Sequence, residues 1–460
     1  MSKTRGKSRT KIDQLHDLAL KCGKTHQFDD VVVTITSKAN HQIRFAKNEI
    51  TVSKTWESTR FNMFASKDQR LASIELLDLK EETIQKTIDE LAVFLKRMPQ
   101  NSEYQGIAHG EFKYKKTTKV FDSKVQSLGE EGISYVRNSV DAALSAGAKD
   151  CAGVLYFGDT LTTLSSNHNI RTKTKSTNLE FNIRAFSSPQ ASGQGLAASC
   201  ILSQFDVEEA GAKAGEIAKM AQNGIQGQAG TYDVILSPAV AADLIGRAVI
   251  AGNTYDIEAG FSFLRTDQIG EQITYEGFTA YDDGLIPNGL GSRPFDDEGH
   301  PTQRTKIYDR GVLKAFIHNT STAKRYDSAS TGNAGIIYPY NHNVVIEPGD
   351  HSFDELLEQA SQGDNPGLYI TANWYTEFSN YAEGSFSSIP RDGMFLVKKG
   401  EISQPVVRLR ISDSLPQIMK NLKAIGKKEL LKQIFWWEVQ TPTFISPVLV
   451  EGVKITAATK

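Results

Sequence analysis

The densest cluster of potential metal ligands in this chain is an acidic turn in its second half. Asp296, Asp297, Glu298 and His300 follow one another on a short stretch that contains glycine. Carboxylate oxygens with one imidazole suit a hard cation such as Ca²⁺ or Mg²⁺. The same carboxylates could instead accept backbone N–H bonds and brace the turn. We expect the bracing role and keep weak metal binding as the alternative.

A second candidate is a run of small residues whose backbone can be approached closely. It consists of Ser330, Thr331, Gly332, Asn333, Ala334 and Gly335. Such a loop suits contact with an extended peptide or with a loop of a partner protein. A tight turn that needs glycine backbone angles explains the pattern equally well. Because no histidine stands near this run in the sequence to activate its hydroxyl groups, we expect binding there and no nucleophilic chemistry.

Composition excludes several classes of protein. The chain has 52 Lys and Arg against 54 Asp and Glu, so its formal charge of −2 gives no general attraction to nucleic acid or to anionic membranes. No apolar run approaches the roughly 18 residues of a membrane span. Cys22, Cys151 and Cys200 are far apart, which is typical of reduced thiols. We therefore expect a cytoplasmic protein that binds neither nucleic acid nor membranes.

The elements of the first half occur in the same order twice. A helix that starts near Ile12 is followed by alternating patterns at 31–35, around 41–50 and at 61–65, and then by a helix from Glu82 to Arg97. From roughly Glu130 the same order returns: a helix, then strands, and finally a helix from Val207 to Gln222. Two echoes support a duplication. Residues 61–66 read like residues 181–187, and residues 71–74 read like residues 196–199.

After residue 230 the chain consists mostly of short alternating runs separated by Gly, Asn, Asp and Pro. Helices are predicted near Ala239–Ile250, Phe353–Ala360 and Leu415–Ile425. The fold class is therefore α+β, with a duplicated helix and antiparallel-sheet domain followed by a mostly antiparallel, barrel-like β domain. The predicted divisions are a flexible basic tail at 1–11, an amino-terminal domain at 12–229 with repeats at 12–98 and 129–223, a flexible link at 222–230 and a carboxy-terminal domain at 230–460.

Several segments of the second half resemble the TldD/PmbA family of cytosolic peptide-degrading proteins. They are Ser237–Ala251, Gly260–Leu264, Phe295–Gly299, Ser330–Gly335, Gly384–Phe386 and Glu401–Ile411. The resemblance runs from about Tyr232 to Ile455, while the first half matches mainly by the order of its elements. It adds Gly384 and Ser385 to the candidates for contact with a peptide or a partner.

The resemblance also implies a lost metal site. In the metallopeptidase branch, a His-Glu-x-x-x-His motif on this helix and a cysteine from the carboxy-terminal domain hold a catalytic zinc. The matching positions here are Gly246, Arg247 and Ala251, and no cysteine follows Cys200. None of these three residues can ligate zinc or act as a base. The chain is therefore similar to the PmbA/TldE-like branch, with no catalytic residue and no cofactor of its own.

The function implied by this resemblance is that of a non-catalytic subunit. A zinc-bearing TldD-like partner would form a heterodimer or larger assembly with it, and the pair would degrade unfolded peptides. A homodimer stays open, as do two other functions: a self-sufficient hydrolase at residues 296–300, and a purely binding or regulatory module. The aromatic pair Trp436 and Trp437 is predicted to pack in the core or at a subunit interface.

Overall fold

The structure is a computed structural model that describes residues 11–458. The predicted basic tail lies outside these residues except for Lys11, which begins the first helix. The predicted α+β class is confirmed. Among the described residues, no helix combines the length and the apolar character needed to cross a membrane.

The first half of the chain is built on one six-stranded antiparallel sheet. Its elements are α1 (Lys11–Thr25), β1 (Asp30–Ala46), β2 (Glu49–Lys67), β3 (Arg70–Leu76), α2 (Glu81–Leu95), α3 (Ser123–Gln126), α4 (Gly132–Ser145), β4 (Asp150–Ser166), β5 (Arg171–Ser188), β6 (Ala191–Ser199) and α5 (Val207–Met220). The strand order is β3-β2-β1-β4-β5-β6. Two α-β-β-β-α units therefore lie side by side, joined where β1 pairs with β4.

The first sequence echo corresponds to equivalent positions in the two units, and the second does not. Phe61 in β2 and Phe181 in β5 are both buried and occupy the middle strand of their units. Ala65 pairs with Ala72, whereas its counterpart Ala185 pairs with Gly193. The echo of residues 71–74 in 196–199 is thus out of register. In β6 the equivalent positions include glycines, because α5 packs directly on this strand: a Cβ at Gly193 would lie 2.2 Å from a helix carbonyl oxygen.

One predicted strand spans a turn instead. The alternating pattern around residues 41–50 covers the end of β1 and the start of β2. Lys47 and Asn48 separate these strands with φ of 52° and 66°. A two-residue turn with positive φ matches the twist of antiparallel strands, so the hairpin is tight.

The second half contains a closed barrel and a second six-stranded sheet. Its elements are β7 (Ile225–Gln226), β8 (Gly230–Leu236), α6 (Pro238–Ile250), α7 (Thr254–Glu258), β9 (Ala280–Asp283), β10 (Arg304–Asp309), β11 (Val312–Leu313), α8 (Thr320–Arg325), β12 (Ala334–Gly335), β13 (Tyr338–Pro339), β14 (Val344–Ile346), α9 (Phe353–Ala360), β15 (Gly367–Asn380), β16 (Ser385–Lys398), β17 (Glu401–Val407), β18 (Leu409–Ser414), α10 (Leu415–Lys420), β19 (Leu422–Ile425), β20 (Lys432–Trp436), β21 (Val439–Ile445) and β22 (Val448–Ala457). Strands β15, β8, β22, β18 and β16 follow one another, and β16 pairs again with β15, so these strands form a ring. The other sheet has the order β11-β10-β9-β14-β21-β20.

Two expectations for the second half need correction. The helix predicted across Leu415–Ile425 ends at Lys420, and its last residues form β19, which pairs with β22. The stretch at 222–230 is exposed, yet it includes β7, which pairs in parallel with β17. The backbone of β7 pairs with β17, so this stretch is held against that strand despite its glycines.

The two halves are joined by a buried ion pair. The Arg184 side chain in β5 donates from Nε to Oδ1 of Asp392 at 2.9 Å, and Trp374 donates to Oδ2 of the same carboxylate at 3.2 Å. The Asp392 side chain is fully buried. Because a buried carboxylate without partners costs several kcal/mol, this network specifies how β5 meets the barrel.

Candidate functional site

Helix α6 begins at a well-formed cap and lies in the core of the second half. Ser237 accepts a hydrogen bond from the Val240 N–H at its side-chain oxygen and donates one to the Thr371 carbonyl at 2.6 Å. Pro238 occupies the first turn, where its missing N–H has no helical partner to lose. The helix packs against β15, β21 and α10. It is therefore held from several sides and presents its residues in fixed directions.

The three positions that match the zinc motif have other structural roles. Gly246 faces β21 so closely that a Cβ would lie 3.2 Å from Oγ1 of Thr443, a buried residue. The carbonyl of Ala251, at the end of α6, accepts a hydrogen bond from Ser262 at 2.8 Å. A side chain at position 246 would therefore need the Thr443 side chain to shift by a few tenths of an ångström.

Arg247 is bound within a closed polar network. Its Nε donates to Oδ1 of Asp243 at 2.6 Å, and its Nη2 donates to the carbonyl of Glu438 at 3.2 Å. The other carboxylate oxygen of Asp243 accepts from Asn373 at 2.6 Å and from the Thr376 hydroxyl. Both oxygens of this fully buried acid are therefore occupied.

A cavity of about 350 Å³ opens beside this network, between α6 and the β20–β21 hairpin. Arg247 and Trp437 both line it. Trp437 is 75% exposed, whereas Trp436 is buried and meets Trp374 edge to face with ring centroids 5.1 Å apart. The aromatic pair is thus divided, with one ring in the core and the other at the surface. A guanidinium and an open indole can bind a peptide or a partner, but they cannot activate water.

The acidic turn is hydrogen-bonded to the small-residue loop through Asp296. Oδ1 of Asp296 accepts N–H bonds from Glu298 and His300 at 3.0 and 2.9 Å, and Oδ2 accepts one from Ala334 at 2.9 Å. Burial raises the pKa of Asp296, and these donors oppose that rise. The turn therefore binds the small-residue loop through one fully engaged carboxylate.

The other three candidate ligands of the turn point to different partners. Asp297 pairs with Arg293 at 2.7 Å, and His300 lies 3.0 Å from the Pro301 carbonyl. Glu298 is buried, and its Oε2 accepts the N–H of Ala108 in the first half at 3.0 Å. Burial holds the pKa of Glu298 well above its usual range. The four side chains do not converge on a common point, so their geometry supports bracing.

Most of the small-residue loop is buried. Thr331, Gly332, Asn333 and Ala334 are all inaccessible, and only its end residues Ser330 and Gly335 are partly open. Gly332 has φ of 71°, and its carbonyl lies 2.7 Å from Nε2 of His342. For a peptide to reach the central residues, the loop would have to open.

Gly384 and Ser385 lie elsewhere, at the end of the turn between β15 and β16 and at the first residue of β16. Gly384 is buried with φ of 64° and packs near Pro416 and Phe263. Ser385 is partly open, and its hydroxyl donates to Glu383 at 3.2 Å. The positive φ explains the glycine, and Ser385 is the more accessible of the two.

Sequence reasoning missed another cluster, formed by Asp30, His109 and His168. Each offers a ligand atom that lies within 4.8 Å of those of the other two, and no other group of this kind occurs among residues 11–458. The residues come from three distant segments, so no local spacing reveals them. The pairing of β1 with β4 brings Asp30 and His168 close, and a hydrogen bond from the Gly110 N–H to the His168 carbonyl holds His109 beside them.

Comparison with known proteins identifies relatives of the second half and of the whole fold. A family model described as the PmbA/TldA metallopeptidase C-terminal domain matches residues 229–457. A metalloprotease of Methanocaldococcus jannaschii is 30% identical over 208 residues, which cover 43% of this chain and 44% of the relative. A metalloprotease PmbA homologue of Buchnera aphidicola is 32% identical over 141 residues, which cover 31% of this chain and 29% of the relative. The matched part is thus less than half of each relative.

Solved structures show the same fold along nearly the whole chain. TldE from Thermococcus kodakarensis superposes with a TM-score of 0.81 and 19% identity, over 96% of this chain and 100% of that one. A Thermotoga maritima protein described as a candidate modulator of a DNA gyrase gives a TM-score of 0.82 and 20% identity, over 97% and 100%. At these identities the likeness concerns the fold.

Proposed function

This chain belongs to the TldD/PmbA family, and we propose that it is a TldE/PmbA-like, non-catalytic subunit of a cytoplasmic metalloprotease complex. The proposed partner is a TldD-like subunit that carries the zinc, and the proposed substrate is an unfolded peptide. The observation that carries this proposal is the Arg247–Asp243 pair on α6, at the position of the zinc motif.

An arginine at this position opposes metal catalysis in two ways. Arginine keeps its positive charge in proteins, so it cannot take a proton from water as a glutamate base would. A fixed cation bonded to Asp243 also repels a divalent cation nearby, most strongly where water is excluded. The position of the zinc motif therefore carries its own positive charge.

The surroundings of Arg247 support a role in binding. The cavity beside α6 combines this guanidinium with the exposed ring of Trp437, and both residue types are enriched where proteins contact partners. The alternative of a self-sufficient hydrolase at residues 296–300 finds no support in the geometry, because those side chains are bound internally. A purely binding or regulatory module remains the competing function.

The decisive experiment compares this chain alone, a TldD-like protein alone and their mixture on an unfolded, fluorogenic peptide. We expect no cleavage by this chain with added Zn²⁺, and faster cleavage by the mixture than by the partner alone. Chelator-sensitive cleavage by this chain alone would show that it is catalytic. If the proteins associate without any effect on cleavage, the chain is a binding module. Size-exclusion chromatography of this chain alone tests for a homodimer.

A further inference from the structure

Three side chains meet at the surface of the first half, far from α6 in sequence. Nε2 of His168 lies 2.7 Å from Oδ1 of Asp30, and Nε2 of His109 lies 4.0 Å from the same oxygen. The two imidazole rings stack with centroids 3.6 Å apart and planes at 12°. Ligand atoms of two imidazoles and one carboxylate thus lie within 4.8 Å of one another.

The carboxylate of Asp30 is oriented by donors on its far side. Its Oδ2 accepts hydrogen bonds from the Ser66 hydroxyl at 2.7 Å and from the Tyr104 hydroxyl at 2.8 Å. These bonds leave Oδ1 directed toward the histidines. Carboxylates that ligate metals are commonly held in this way by outer hydrogen bonds, which fix the orientation of the ligand.

The backbone beside each ligand is also held in place. The N–H of Gly110, which follows His109, donates to the carbonyl of His168 at 3.2 Å. The side chain of Asn167 accepts from the Val31 N–H and donates to the Asp29 carbonyl, both at 2.8 Å. The three chain segments are therefore tied together immediately next to the ligands, which keeps the three side chains within reach of one ion.

One side of the cluster is open. The side chains of Asp30 and His168 are 10% and 20% exposed, whereas that of His109 is 58% exposed. A hydrogen bond from His168 alone would satisfy Asp30 Oδ1. His109 stacks on His168 with its nitrogen 4.0 Å from the same oxygen, and its exposed ring is free to turn out of the stack toward an ion held by His168 and Asp30.

We infer that Asp30, His109 and His168 bind one divalent transition-metal ion, with Zn²⁺ as the representative ion. Two imidazole nitrogens and one carboxylate oxygen are a ligand set that zinc accepts, and a water molecule would fill the remaining position on the open side. This inference is independent of the proposed function. The sequence predicts that the chain has no cofactor of its own. If this site binds a metal ion, that prediction applies only to the position of the zinc motif on α6.

The site would stabilise the contact between the two halves. Tyr104, which orients Asp30, begins the segment that reaches the second half. In this segment the N–H of Gln105 donates to Ser321 at 2.9 Å, and that of Ala108 donates to Glu298 at 3.0 Å. An ion bound to His109 fixes the end of the same segment, so we expect the metal to raise thermal stability.

The test uses the full chain without an affinity tag, stripped with a chelator and titrated with Zn²⁺ by calorimetry. We expect one ion per chain, at least about 10-fold weaker binding after His109→Ala, and a rise in melting temperature with zinc that this variant lacks. His109 is exposed, so this variant should fold normally. His26→Ala is the matched control, because His26 forms a His–Asp pair of the same 2.7 Å length with Asp89.

Cobalt binding gives a second readout. Co²⁺ should produce visible absorption bands in the wild-type chain and in His26→Ala, and these bands should be lost in His109→Ala. Absence of zinc binding below millimolar concentration would overturn the inference. Equal affinity of wild type and His109→Ala, or equal weakening by His26→Ala, would also overturn it. None of these outcomes bears on peptide cleavage, so the proposed function is tested separately.

Discussion

Arg247 and Asp243 form an ion pair one helical turn apart in which the acid is buried and the base is partly open. The nitrogen and oxygen are 2.6 Å apart, and the side chains are 33% and 0% exposed. Because Asn373 and Thr376 occupy the other oxygen, the acid cannot turn toward another cation. The same arginine thus stabilises α6 and occupies the position of the zinc motif.

Replacing Arg247 by leucine should destabilise the fold. The substitution leaves Asp243 buried without its cation, and we expect a loss of about 3 kcal/mol in the free energy of unfolding, the low end for a broken buried pair because Arg247 is partly exposed. Urea denaturation measures this loss. Arg265→Leu is the control, because Arg265 pairs with Asp267 where both side chains are largely exposed. It should cost less than about 1 kcal/mol. Equal losses in the two variants would show that burial of Asp243 does not make its ion pair with Arg247 more important for stability.

Gly332→Val should damage the fold directly. A Cβ at this position would lie 2.2 Å from the carbonyl oxygen of Pro301, in addition to the strain of a φ of 71°. Gly260 has nearly the same φ, 73°, with open space around it. Gly260→Val should cost about 1–3 kcal/mol from backbone strain, and Gly332→Val several kcal/mol more. Similar melting temperatures for the two variants would contradict the burial of the loop.

Glu298 gives a prediction about pH. Its raised pKa means that the folded chain keeps a proton that the unfolded chain releases above about pH 4.3, so stability should fall as pH rises from there. Glu298→Gln should lack this contribution and lose less stability between pH 5 and 8. Glu298→Ala should cost about 2–3 kcal/mol near pH 5, since the Ala108 N–H loses its acceptor, and this cost should shrink as pH rises and the wild type loses stability. Denaturation at several pH values distinguishes these variants.

Trp437 should contribute to contact with the partner. Its ring is 75% exposed beside the α6 cavity, so Trp437→Ala should leave folding unchanged and weaken association by about 10-fold or more. Trp56→Ala is the control, because Trp56 is also exposed but lies on β2 in the other half. Binding of a TldD-like protein, measured by calorimetry, should be unchanged in this control. Equal weakening by Trp437→Ala and Trp56→Ala would show that the α6 cavity is not part of the interface.

Local signals were enough to predict many elements. The helix Phe353–Ala360 has the predicted bounds because Ser352 and Glu355 form a capping box that marks its start. Phe61 and Phe181 identify equivalent strands because both face the core of their units. The boundary between the domains near residue 230 and the binding roles of Ser330, Gly335 and Ser385 stay predictions.

Other features depend on contacts between distant segments. Small residues at 331–334 have the composition of an exposed loop, but the packing of the acidic turn over them makes them inaccessible. His109 and His168 have no motif around them. Pairing of β1 with β4 brings His168 to Asp30, and a backbone hydrogen bond from Gly110 to His168 brings His109 there. Residues 422–425 continue a helical pattern, yet pairing with β22 makes them a strand. In each case tertiary structure overrides the local preference.

Closure of the barrel restricts where a substrate could bind by strand addition. In the ring formed by β15, β8, β22, β18 and β16, each strand already has a neighbour on both sides. An extended peptide would therefore have to align with a strand outside the ring. The longer sheets offer their terminal strands β3, β6, β11 and β20, and the short strands β7 and β19 beside the ring also have a free edge. Since β20 leads directly to Trp437, an incoming chain at that edge would run toward the α6 cavity.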